Sequence, residues 1–227
     1  SISIFLPLRS GSKRIIKKNT RSLPGFELGL LEIKLKQLLP LLDIVSEIVI
    51  STDDEIVSSY VESLAINRLK LISRSRNLAN DSTKIEDLCI HAGEVSNGAF
   101  VLWTHVTSPF YTENTYRNII STFKAESCCG LVSGVSIDTF LLHQGKIINS
   151  PNGSFVRTQD LLDYFAIDSG CFITPKNLLL QGSRLGENFV FFKSSKSESI
   201  DVDWIHDFNL VKDLLTLDEK RYDYLGL

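Results

Sequence analysis

Six short apolar runs, at residues 2–7, 47–51, 69–72, 99–104, 129–135 and 170–174, punctuate this chain, and most are separated by stretches of helical spacing. In 53–66, Ile56, Val57, Tyr60, Val61 and Leu64 recur at helical intervals, and Ile85, Leu88, Ala92 and Val95 do the same in 84–97. A Leu-rich segment over 27–42 stops around Pro40, Asp53 and Asp54 are placed to cap and charge the helix they precede, and 204–217 returns to a helical pattern. Strands alternating with helices predict an α/β fold with a mostly parallel sheet covered by helices. A length of 227 residues suits a single domain. Residues 138–166 break the rhythm with HQGK, NSPNGS and RTQDLLDYF, and read as an arm projecting from the core.

In open α/β sheets ligands bind beyond the carboxyl ends of the strands. The polar clusters fall there: RSGSKR after the first run, STDD after the second, SRSRNLANDS after the third and HVTSP after the fourth. The formal net charge is −3, yet Arg9, Lys13, Arg14, Lys17 and Lys18 crowd into the loop after the first strand. Gly11 lets backbone approach an anion, Ser12 donates a hydroxyl, Arg9 offers a planar fork and Lys13 a mobile point charge. A triphosphate fits this density of donors, although the spacing is not that of a P-loop; a solvated basic turn fits the cluster taken alone. Near the C-terminus, IDVDW puts Asp201 and Asp203 on one face of a predicted strand, where two carboxylates can share a hard cation such as Mg²⁺. Capping of a helix starting near Trp204 is the other reading of that pair.

Composition removes several classes. No apolar run is long enough to span a membrane, and the charge balance lacks the broad basic surface of a nucleic-acid binder. The first residues lack the pattern of a secretory signal, which leads to an expectation of a cytoplasmic protein. Cys89, Cys128, Cys129 and Cys171 form no metal-type spacing and are expected to be buried or semi-buried thiols.

Together these segments resemble the CMP-sugar synthetases, and most of all the acylneuraminate (CMP-sialic acid type) cytidylyltransferases. The opening R-x-G-S-K with a following K-N is matched by Arg9, Gly11, Ser12, Lys13, Lys18 and Asn19. S-T-D is matched by Ser51, Thr52 and Asp53, R-x-x-x-L-A-x-D by Arg74, Leu78, Ala79 and Asp81, and T-S-P by Thr107, Ser108 and Pro109. R-x-Q in the arm is matched by Arg157 and Gln159, and I-D-x-D by Ile200, Asp201 and Asp203. The matches run in order over nearly the whole chain. The resemblance implies a Rossmann-like three-layer nucleotidyltransferase domain over 1–227 that joins CTP to a nonulosonic 2-keto sugar acid, giving CMP-sugar and pyrophosphate. It implies that Arg9, Lys13 and Lys18 hold the phosphates, that Asn19, Arg74 and the loop through Asp81 to Ser82 surround the nucleoside, and that Asp201 and Asp203 carry Mg²⁺. It also implies a homodimer in which the arm packs on the neighbour and Arg157 helps to hold the acid's carboxylate. Phe191 and Phe192 are candidates to wall the sugar, and core packing is an equal reading of both.

Three departures from the family pattern bear on the sugar. His105 stands where Gln is usual, Ser169-Gly170 replaces an Asn-Gly, and Phe110-Tyr111 follows TSP in place of Leu-Arg. The rival readings are a glycosyltransferase using a D-x-D metal site and a nucleotide-binding subunit without catalysis.

Overall fold

The computed structural model describes residues 1–126, 129–217 and 225–227. Its seven-stranded sheet uses β1 (Ile2–Leu8), β2 (Glu47–Thr52), β3 (Leu69–Ser73), β4 (Phe100–Thr104), β5 (Leu131–Ser136), β8 (Phe165–Pro175) and β9 (Val190–Lys193) in the order β3-β2-β1-β4-β8-β5-β9. A separate hairpin pairs β6 (Leu142–His143) with β7 (Lys146–Ile147). All pairings in the large sheet are parallel except those of β8, which runs antiparallel to β4 and β5. The helices are α1 (Gly29–Leu38), α2 (Glu55–Leu64), α3 (Ile85–Val95), α4 (Glu113–Ala125), α5 (Lys176–Leu179) and α6 (Ile205–Leu217). This is an α/β, mostly parallel, Rossmann-like three-layer architecture.

Both faces of the sheet are covered. One carries a core that includes Ile4, Leu6, Ile50, Leu102, Tyr116, Ile120 and Phe208; the other packs Phe5, Val49, Trp103 and Phe172 against Cys89 and Ala92 of α3. β1 and β2 are buried along their full length, as continuous apolar runs of a central parallel sheet require.

The chain moves from β1 outward to β2 and β3, then returns to pair β4 on the other side of β1. That reversal is the switch point at which α/β sheets open a crevice. The register shows how it opens. β1 pairs β2 as far as Leu8↔Thr52, but β4 only as far as Phe5↔Trp103. Pro7, with no amide to give, sits past the last β4 partner and lines the crevice.

Local chemistry explains the helix starts. Asp54, not Asp53, caps α2 by accepting from the Ile56 amide at 2.9 Å. Thr112 and Thr115 form a reciprocal capping box at α4. Gly29 opens α1 at φ 48°, where a Cβ would lie 2.0 Å from the Arg21 carbonyl oxygen, so the basic loop can fold back on the helix only with glycine there.

Several elements differ from expectation. α4 and β9 were not foreseen, β8 is longer than the 170–174 run, and residues 200–203 form no strand. Residues 138–164 leave the sheet between β5 and β8, their base closed by the Ile137 amide donating to the Tyr164 carbonyl at 2.9 Å. Cys89 and Cys171 are buried, Cys129 is exposed, and Cys128 lies outside the described residues. No helix among the described residues is long and apolar enough to cross a membrane.

Candidate active site

The loop after β1 is pinned at several points. Ile15 is buried in the core, the Thr20 and Arg21 amides donate to the Lys17 carbonyl at 3.0 and 2.7 Å, and the Leu31 amide of α1 donates to the Asn19 carbonyl at 2.9 Å. Asn19 Nδ2 reaches back to the Arg9 carbonyl at 3.1 Å. Asp53 accepts from the Ser10 amide at 2.8 Å and its hydroxyl at 2.6 Å. Burial of Asp53 raises its pKa, but the Ser10 hydrogen bonds and nearby Arg74 outweigh it, so the carboxyl sits below its ordinary value. Gly11 has φ 73°, with open space around it.

This pinned loop faces a cavity of about 520 Å³ lined by Arg9, Ser12, Lys13, Arg14, Lys18 and Asn19, with His105 and Thr107 from the end of β4 and Asp201 and Asp203 opposite. Arg9 Nη1 donates to Asp81 Oδ1 at 2.6 Å, and Lys13 Nζ pairs with the other oxygen of the same carboxylate. Hydrogen bonds from Lys13 and then Arg9 hold Asp81 below the usual carboxylate range.

The acidic segment is fastened to the loop after β4. The Val202 amide donates to the Thr107 carbonyl at 2.7 Å, and the Val202 side chain is fully buried, so its two neighbours turn to the cavity. The period-two alternation therefore survives although the strand does not. Lys18 Nζ donates to the Val202 carbonyl at 2.9 Å and to Asp203 at 3.3 Å, and Arg14 pairs with Asp203 at 2.8 Å. Burial tends to raise Asp203, yet Lys18 and Arg14 bring it below its ordinary value. Asp201 is raised, chiefly by burial and also by Asp203, while a hydrogen bond from Thr107 and the charge of Lys18 oppose the rise. Asp207, on α6, takes the amides of Asp203 and Trp204 at 3.0 and 2.7 Å, so the helix start is capped without Asp201 or Asp203.

His105 is half-buried at the cavity wall and accepts from Trp103 Nε1 at Nε2, 3.1 Å away, leaving Nδ1 to carry the proton of the neutral ring. Burial, with the charges of Arg184, Lys18 and Lys34, pushes His105 down to about 3. Beneath it, buried Lys34 donates to the Ser108 and Tyr111 carbonyls at 2.7 and 3.2 Å and to the Tyr116 hydroxyl at 2.9 Å, which fixes the loop after β4. Ser169 also lines the cavity and holds φ 59°. At Gly170 a Cβ would lie 2.4 Å from the Tyr111 ring, and the Gly170 carbonyl accepts from Thr104 at 2.8 Å.

Other predicted residues lie elsewhere. Arg74 does not line that cavity; it is buried, its guanidinium donates to the Leu8 carbonyl at the end of β1, and it shares a neighbouring cavity with Arg9 and Asp81. Ser82 turns to Asn80 Oδ1 at 2.6 Å, and Ser108 is buried. Arg157 is exposed and bridged to Asp160 at 2.9 Å, and neither it nor Gln159 lines the cavity in the same chain. Phe191 and Phe192 belong to β9; Phe191 stacks on Phe165 with centroids 4.2 Å apart and Phe192 packs on the core, so both are sheet residues and not walls of this cavity. Arg14 was the missed member, although it stands in the same basic cluster.

A crevice at the switch point of a mostly parallel sheet, with a cationic loop facing carboxylates, defines a nucleotide-handling α/β protein. Residues 4–225 match the cytidylyltransferase family model, and the chain belongs to that family. It is accordingly a nucleotidyltransferase that uses CTP. Among curated proteins no match was found. Solved structures share the fold at low identity. One is a CMP:2-keto-3-deoxy-manno-octonic acid synthetase complexed with CTP, with TM-score 0.69, 14% identity, and 95% of this chain and 98% of that chain covered. Another is a 4-diphosphocytidyl-2C-methyl-D-erythritol synthase from Anaerococcus prevotii, with TM-score 0.64, 14% identity and coverage of 95% and 98%. A cytidylyltransferase from Leptospira borgpetersenii has TM-score 0.60, 16% identity and coverage of 99% and 91%.

Proposed function

We propose that the chain activates a nonulosonic, sialic-type 2-keto sugar acid with CTP, releasing pyrophosphate and a CMP-sugar. The observation that carries this reading is the meeting, in one cavity, of the Arg9–Asn19 loop with Asp201 and Asp203. The anomeric oxygen of the acid attacks the α-phosphorus in line, the new oxygen–phosphorus bond forms as the bond to the β-phosphate oxygen breaks, and the hydroxyl proton is released. No covalent enzyme intermediate is required. Arg9, Lys13 and Lys18 bind the triphosphate and neutralise charge on the leaving pyrophosphate; positioning and electrostatics supply the rate.

Asp201 and Asp203 fit a hard divalent cation. Both are oxygen donors on one side of one short segment, and burial leaves Asp201 raised, a carboxylate short of positive charge. They would hold Mg²⁺, which when bound supplies further neutralisation of the phosphates.

A homodimer completes the proposal. The segment between β5 and β8 exposes Leu142 and Phe155, apolar surface suited to a second copy. Because CTP is drawn from the cytoplasm, the reaction is assigned to that compartment. The test is pyrophosphate release from CTP with sialic, legionaminic, pseudaminic and Kdo acids in turn. Turnover with a nine-carbon acid supports the reading; turnover with Kdo alone, or with none of the four, overturns it.

A further inference from the structure

A second cavity, of about 440 Å³, opens beside the first, and Ser169 forms part of the wall of both. Ile85, Ile167, Phe172 and Leu185 make most of it apolar, and Ser183 and Arg184 supply its polar side. The Arg184 guanidinium lies over the Phe172 ring, 4.0 Å from its centroid, and 5.1 Å from that of Trp103. Trp103 in turn donates to His105 at the wall of the first cavity. A continuous line of contacts, Arg184 to Trp103 to His105, thus joins the two spaces.

Among the described residues, no carboxylate pairs with Arg184 and no oxygen accepts from its guanidinium. That is unusual for a half-buried arginine in a chain whose other half-buried cations, such as Lys18 and Arg117, are all bonded to oxygen. Burial lowers its pKa, with Cys89 opposing, but a guanidinium remains charged at any ordinary pH. The rings of Phe172 and Trp103 pack against the guanidinium, and Arg184 lines the second cavity. A planar, desolvated fork matches a carboxylate bidentately. Apolar walls match acyl or deoxy groups better than a fully hydroxylated chain.

We propose that this second cavity is the acceptor subsite and that Arg184 binds the carboxylate of the incoming acid, with Ile85, Ile167 and Leu185 receiving its acyl or deoxy substituents. This rests on the cytidylyltransferase reading given above. It assigns the carboxylate to a residue of the same chain, whereas Arg157 is exposed and bridged to Asp160. It also makes the acid an N-acylated or deoxygenated one.

The experiment is steady-state kinetics on the full chain with Arg184→Gln and Arg184→Lys, using N-acylated nine-carbon acids and Kdo as probes. The expected result is a KM for the acid raised about tenfold or more in Arg184→Gln, with the KM for CTP within about twofold of wild type. Arg184→Lys keeps the charge but loses the fork, and should fall between the two. An unchanged KM for the acid, or an equal rise in both KM values, overturns the proposal. If the wild type turns over no acid, Trp103 provides a separate readout, because it lies against Arg184. An acid-dependent change in tryptophan fluorescence that Arg184→Gln abolishes then supports the subsite while the transfer reading fails. No fluorescence response to any of the acids in the wild type overturns the subsite.

Discussion

Arg9 and Asp81, 72 residues apart in sequence, meet at 2.6 Å, and Lys13 closes on the same carboxylate from the other side. The loop after β1 and the loop after β3 are therefore tied together, and in the proposed reading a triphosphate takes these donors from Asp81. Lys13 is mostly exposed and its ammonium pairs with Asp81, so the role proposed for it is a charge contact. Lys13→Ala should cut kcat/KM by roughly 10²-fold, the loss of one transition-state charge contact, with an unchanged melting temperature. Unaltered kinetics would mean that the basic loop is only a solvated turn.

The acidic pair separates two roles by one conservative change. Asp207 holds the start of α6, so Asp201→Asn should leave stability nearly intact, while Asp203→Asn also weakens the pairs with Lys18 and Arg14 and should cost somewhat more. Each variant should lose most activity at limiting Mg²⁺, and the milder one should recover in part at high Mg²⁺ or with Mn²⁺. Near-normal turnover of both at limiting Mg²⁺ would remove the metal assignment.

His105 carries a pH signature with a definite sign. Its folded-state value of about 3 lies below the ordinary 6.5, so the unfolded chain takes up a proton that the folded chain refuses. The full stability is present above about 6.5 and declines as pH falls from there toward 3. His91 is also lowered, by burial first and then Arg74, and adds to the same trend. His105→Gln should flatten the loss of melting temperature between pH 6.5 and 5 and leave the His91 part. The same variant should change the ranking of acids more than the KM for CTP. An unchanged pH profile would contradict the burial argument.

Lys34 is a structural cation. Its ammonium serves three buried oxygens, and burial lowers its pKa well below the ordinary value. Lys34→Met leaves those acceptors unsatisfied and should cost about 2–4 kcal/mol, read from denaturant unfolding. A loss below about 0.5 kcal/mol would show that the carbonyls find other donors.

Ser169 holds left-handed backbone, which glycine and asparagine tolerate better. Ser169→Asn should raise stability by up to about 1 kcal/mol and alter the KM for the acid, since the residue borders both cavities. A lower melting temperature would contradict this.

The alternation of β1 to β4 with α1 to α3 was legible because buried parallel strands are short apolar runs bounded by polar clusters. The basic loop and Thr107 were legible for the same reason, since each follows a strand; the aspartates were legible from their D-x-D spacing, although the strand expected to carry them does not form. α4 carries Tyr116, Ile119, Ile120 and Phe123 at helical spacing, but Asn and Thr fillers and β-branched residues obscure it. β9 was missed because four residues carry little period, and it exists through pairing with β5 some sixty residues away. The same pairing turns Phe191 and Phe192 into sheet residues. Arg184 gave no signal at all: a lone arginine in a loop gains meaning only from rings that the fold brings beneath it.

The central claim, transfer of a cytidylyl group to a sugar acid in the cavity between β1 and β4, is tested most directly by following the label of α-phosphate-labelled CTP incubated with the chain, Mg²⁺ and a nine-carbon 2-keto acid. The account predicts that the label moves into a CMP-acid conjugate, with one unlabelled pyrophosphate released per conjugate formed. Label that stays in CTP whatever acid is added, or that appears as free CMP without a conjugate, would contradict it.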